Sequence, residues 1–103
     1  MSRYLVNRIM WEVDQDDSTL AAFKESPERF VDDWEPAVGT LESHERQALK
    51  RRDYGALYAM GSNPYLLWQF ARSVSVPDEL TVEELIVDFR EQVAPHPRPD
   101  FFT

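Results

Sequence analysis

The chain has 103 residues, no cysteine, and 19 acidic against 11 basic side chains, for a formal charge of −8 at pH 7. Its length suits one domain with one core, and the lack of cysteine excludes disulfides and thiolate metal sites and fits a reducing cytoplasm. So acidic a surface repels phosphate backbones and anionic lipids, which argues against nucleic acid and membrane as partners, and no apolar run approaches the ~20 residues that span a bilayer.

In chain order, the first element is a helix over residues 2–13. Leu5, Val6, Ile9, Met10 and Val13 fall on one stripe at helical spacing. Tyr4 and Trp11 land together on the opposite face. Either that helix is buried on both sides or ends before Trp11, or the pair forms a docking face, because tyrosine and tryptophan are favoured at interfaces. Arg3, Arg8 and Glu12 interrupt the apolar residues, unlike a secretory signal. Residues 13–18 read as a polar link, with Asp17 or Ser18 capping a short helix that carries Leu20 and Phe23. Ser26-Pro27-Glu28 restarts a helix: serine as cap, proline at the first position, an acid in the first turn. Phe30, Val31 and Trp34 then share a face, and residues 35–40 are expected to be a loop.

A further helix over residues 41–52 has Ser43 as a possible cap, Ala48 and Leu49 inward, and Lys50, Arg51 and Arg52 at its negative end. Next comes the segment on which the chain is centred. Asp53 caps a short helix, Gly61 is a left-handed stop, Asn63 caps the next helix and Pro64 is its first residue. Gly55 and Ala59 leave a smooth strip for a close neighbour. Leu66, Leu67, Phe70, Ala71 and Val74 line one side of the second helix. Tyr65, Trp68 and Arg72 line the other, with Arg72 spaced to lie over Trp68 as a cation–π pair; this is either a second docking patch or another wall of the core. Thr81-Val-Glu-Glu84 is a capping box, followed by an apolar stripe of Val82, Leu85, Ile86, Phe89 and Val93. Alternating prolines keep residues 94–103 from being helical. The expected fold is therefore all-α: five to six short helices over residues 1–93, then a proline-rich extended tail over 94–103 that carries Phe101 and Phe102.

Groups for independent chemistry are scarce. His44 and His96, the two histidines, lack the spacing of a helical metal face. No serine lies in a strand–turn–helix elbow, and Gly39, Gly55 and Gly61 are too dispersed for a phosphate loop. No catalytic residue is nominated. Adjacent acids such as Glu83–Glu84 and Asp32–Asp33 suit solvated helix faces.

One series of motifs goes further: Phe23-Lys-Glu-Ser-Pro-Glu-Arg-Phe30, Asp33-Trp34, Leu41-Glu-Ser-His-Glu45, Ala48-Leu49, Arg52-Asp-Tyr-Gly-Ala-Leu57 and Gly61-x-Asn-Pro-Tyr-Leu-Leu67. In this order, over about Leu20 to Phe70, it resembles the LigA family, the small alpha subunit of protocatechuate 4,5-dioxygenase and related extradiol ring-cleaving enzymes. Glu42 departs from the threonine cap common in that family. The resemblance implies an all-helical, non-catalytic chain in aromatic-compound catabolism that binds no cofactor itself. Fe(II) is expected in a LigB-type beta subunit, whose active-site cleft this chain would cover. Tyr4, Trp11, Tyr65, Trp68 and Arg72 are the contacts it points to. The alternative is a stand-alone LigA-like module, self-associating or acting as an accessory protein without dioxygenase activity.

Overall fold

The computed structural model describes residues 2–76 and 78–96. Among them are seven helices and no strand: α1 (Ser2–Gln15), α2 (Asp17–Glu25), α3 (Pro27–Val38), α4 (Ser43–Arg51), α5 (Tyr54–Ala59), α6 (Pro64–Ser75) and α7 (Val82–Val93). The all-α expectation holds; the expected five to six helices fall short of the number found.

Local chemistry explains most boundaries. Ser26 Oγ accepts from the Arg29 N–H at the start of α3. Asp53 accepts from Ala56 N–H to start α5, and Asn63 accepts from both Tyr65 and Leu66 N–H to start α6. Gly61 has φ 90°, the left-handed conformation a stop residue needs. At α7, Thr81 Oγ1 accepts from Glu84 N–H while the Glu84 carboxylate accepts from Thr81 N–H.

Other boundaries correct the sequence reading. The expected link over 13–18 shrinks to one residue, Asp16, whose carboxylate takes Thr19 N–H and the Ser18 and Thr19 hydroxyls, so Asp16 and not Asp17 or Ser18 caps α2. The expected loop over 35–40 is helical as far as Val38. Pro36 lies in the last turn, where its missing N–H forfeits only one bond, to the Asp32 carbonyl. Glu42, not Ser43, is the N-cap of α4, with Glu45 accepting from its N–H at 2.8 Å. Residues 94–96 form a turn, with His96 N–H donating to the Val93 carbonyl, rather than the start of an extended tail. Residues 97–103, including Phe101 and Phe102, lie outside the described residues.

Helix α6 is the centre of the packing and touches α1, α2, α5 and α7. Helix α1 lies along α2 and α6, α3 bridges α2 and α4, and α7 closes over α5 and α6. The α1 stripe Val6, Ile9, Met10 and Val13 is wholly buried against Leu67, Phe70, Ala71 and Val74 of the same core. Phe23 links α2, α3 and α6 through edge contacts to Phe30 and Phe70, at ring separations of 5.6 and 5.2 Å. The α7 stripe is only partly used. Leu85 is buried and Phe89 is half-buried, but Val82 and Ile86 are exposed, as is Val87. Among the described residues α7 packs chiefly on α5 and α6, which leave part of its apolar stripe uncovered.

The Arg52-Asp-Tyr-Gly segment is the tightest joint. Arg52 ends α4 in the left-handed conformation at φ 53°, turning the chain sharply into α5. Tyr54 is then buried, its hydroxyl 3.1 Å from Ser75 Oγ and its N–H donating to Gln92 Oε1 at 3.0 Å. Gly55 meets α7 so closely that a Cβ there would lie 2.5 Å from the Gln92 carbonyl oxygen.

Candidate functional site

The aromatic residues nominated from sequence divide into two groups. Tyr4 is 63% exposed and Trp11 51% exposed. They stand two turns apart on the outer side of α1, above an open groove that they line with Asn7, Arg8, Glu12 and Leu66. So the inner face of α1 is core, its outer face is surface, and the option of burial on both sides is removed. Leu66, read as core, is half-buried and forms the α6 wall of this groove. Tyr65, next to it in the first turn of α6, is 70% exposed. Trp68 belongs elsewhere. It is half-buried and its ring stands edge-on to Phe89 of α7, 5.3 Å between centroids. Arg72 is exposed, and the ring partner of Trp68 is Phe89 rather than its guanidinium.

The groove is held rigidly at both ends. Asn7 Oδ1 accepts from the backbone N–H of Asn63, which ties α1 to the start of α6. Asp14 accepts from the Ser73 hydroxyl near the other end. Glu12 connects the groove to α3: one carboxylate oxygen takes Arg8 Nε at 2.7 Å, the other takes Trp34 Nε1 at 3.0 Å. Burial works against the Glu12 carboxylate, yet these two hydrogen bonds outweigh it and hold its pKa below the ordinary carboxylate value. The charges lining the groove are therefore paired with each other, leaving aromatic and aliphatic surface as what it offers. The Arg8–Glu12 spacing was readable as an i,i+4 pair; the bonds to Trp34 and Asn63 were not, because they join residues far apart in sequence.

The two histidines lie on different parts of the fold. His44 is exposed at the start of α4, with Nδ1 3.6 Å from Glu42. His96 is at the far end of α7, with Nε2 turned towards Gly55. Among the described residues, no three His, Asp or Glu side chains converge as a ligand set. Also among the described residues, no helix is long and apolar enough to cross a membrane.

These features define a small all-helical domain that shows an aromatic face and gathers no metal-ligand set among its described residues. The chain belongs to the LigA family, described as "Aromatic-ring-opening dioxygenase LigAB, LigA subunit", whose model matches residues 6–90. By family it is a small-subunit chain of aromatic ring-opening dioxygenases. The match reaches beyond the Leu20–Phe70 stretch of the motifs, taking in most of α1 and of α7. No curated protein and no solved structure matches the chain.

Proposed function

We propose that this chain is the non-catalytic, alpha-type subunit of an extradiol aromatic ring-cleavage dioxygenase, and that it covers the iron site of a separate LigB-type beta subunit. The observation that carries the reading is the outer face of α1. Tyr4 and Trp11 are held out on a braced helix beside Leu66, with the neighbouring charges already paired. Two large aromatic side chains on a rigid face are typical of the few residues that dominate an interface. Tyr65 extends that face. Arg72, on the exposed side of α6, and the part of Trp68 left open by its packing on Phe89 complete the proposed contacts.

The division of labour follows from the side chains. The beta subunit would supply Fe(II) and its ligands. This chain would supply apolar cover that keeps water from the substrate cleft and restricts the ring's orientation, which favours the reacting geometry. The lack of cysteine suits a cytoplasmic setting for such a pair.

The test is co-expression with a LigB-type chain, followed by Fe(II)-dependent ring opening of a catechol-type substrate. The proposal expects a stable complex that turns over faster than the beta chain alone. No complex, or a complex indistinguishable from beta alone, overturns it. Self-association of the isolated chain through Tyr4 and Trp11 in sedimentation would instead favour a stand-alone module.

A further inference from the structure

We infer that the cleft between α2 and α3 is a receptor for an arginine side chain from the partner polypeptide. This rests on the subunit reading above and adds the chemistry of a second contact. The cleft has a volume of about 320 Å³, at the small end of ligand-sized pockets. Phe30 and Trp34 give it aromatic walls, and Glu25 and Asp33 bring a carboxylate from each helix. The Trp34 N–H is already donated to Glu12 and the residue is 7% exposed, so the indole offers the cleft only a small part of its carbon ring, and Phe30, half-buried, is the more open of the two rings.

Charge pairing sets this cleft apart from the α1–α6 groove. In the groove, Arg8 and Glu12 neutralise each other at 2.7 Å. Nearby, Asp32 is neutralised by Lys50, also at 2.7 Å. Glu25 and Asp33 make no ion pair and no side-chain hydrogen bond among the described residues. Arg29, on the same rim, is four residues from each in sequence and pairs with neither. Two open carboxylates beside an aromatic wall suit a flat cation. Guanidinium stacks on ring faces and donates to carboxylates in a planar fork, which an ammonium cannot do. The chain's net charge of −8 favours approach by a basic segment and disfavours a second copy of itself. The Glu12–Trp34 bond joins a residue that lines the groove to one that lines the cleft.

The test is an NMR titration of the whole isolated chain with N-acetyl-arginine methylamide, using the neutral citrulline isostere as control. The expected result is saturable shifts of the Ala22, Ser26 and Phe30 amides and the Trp34 indole N–H with arginine only. Binding should weaken about tenfold in E25Q/D33N and tighten in R29A, which removes the competing cation. Equal shifts with citrulline, no saturable shift, or unchanged binding in E25Q/D33N overturns the inference. All three substituted residues are exposed, and a circular dichroism spectrum confirms folding. Because no beta chain is present, failure here leaves the dioxygenase-subunit reading standing, and failure of that reading leaves this result intact.

Discussion

Replacing Gly55 by alanine tests how α5 is seated against α7. In a helix, Gly→Ala ordinarily gains about 0.8–1 kcal/mol from reduced backbone entropy. Here the new methyl would sit 2.5 Å from the Gln92 carbonyl oxygen and 3.0 Å from His96 Nε2. The first is backbone, so α7 must retreat by several tenths of an ångström. That strains the Tyr54 N–H to Gln92 bond of 3.0 Å, worth about 1 kcal/mol, and loosens Phe89 from Tyr54, now 5.9 Å apart. Overpacking of this kind costs about 1–3 kcal/mol. With the strained hydrogen bond added and the helix gain subtracted, the net destabilisation is about 1–3 kcal/mol, a fall in Tm of roughly 5–20 °C for a chain of this size. The assay is thermal unfolding followed by circular dichroism, checked by urea denaturation. Gly39→Ala is the control: its methyl would meet only the flexible end of Leu5, at 3.1 Å, so it should stay within about 0.5 kcal/mol of the parent. An unchanged or raised Tm for Gly55→Ala would refute the close approach of α5 and α7.

Other consequences are open to the same measurements. Asn63→Ala removes the acceptor for two N–H groups at the start of α6 and should cost about 1 kcal/mol; no change would mean that the cap is idle. Tyr54→Phe leaves Ser75 Oγ without its 3.1 Å partner and should cost about 0.5–1.5 kcal/mol. Burial chiefly raises the Tyr54 pKa, although the Ser75 hydrogen bond opposes it. Its contribution is therefore full below the ordinary tyrosine value and declines as pH rises through the raised one. The parent should lose stability in alkali more steeply than Tyr54→Phe, and parallel alkaline curves would contradict this. The Arg46 hydrogen bonds hold the Glu35 carboxyl below its ordinary value of 4.5. That stabilisation is present above the ordinary value and disappears as pH falls through the lowered one. The stability gap between parent and Glu35→Gln should thus close in acid, and a gap constant from neutral to acid pH would contradict the assignment.

What could be read from the sequence was what depends on near neighbours. Ser26-Pro27, Asn63-Pro64, Thr81-x-x-Glu84 and Gly61 each act within one turn, so their chemistry is visible in the residue order. The α1 stripe was also legible, because helical spacing sorts its apolar residues onto one face. The α7 stripe shows the limit: Val82, Leu85 and Ile86 have the same spacing, yet only Leu85 is buried. Periodicity gives a face but not how much surface a neighbour brings to it. Trp68 was placed with Tyr65 by helical position, but Phe89, from a helix further along the chain, draws it inward. Pro36 and Asp16 misled because one proline in a last turn, or one capping residue between helices, costs little structure. The cleft between α2 and α3 left no signal, since its carboxylates become notable only when tertiary packing leaves them unpaired while Asp32 is paired.

The most direct test of the subunit role is native mass spectrometry of this chain titrated with a LigB-type beta chain, for the parent and for Tyr4→Ala/Trp11→Ala. Both side chains are more than half exposed, so the double variant should fold as the parent does. The account predicts a stoichiometric complex with the parent and affinity at least about a hundredfold weaker with the variant, as expected when two aromatic anchors are lost. Equal affinity of parent and variant, or no complex with either, would contradict it.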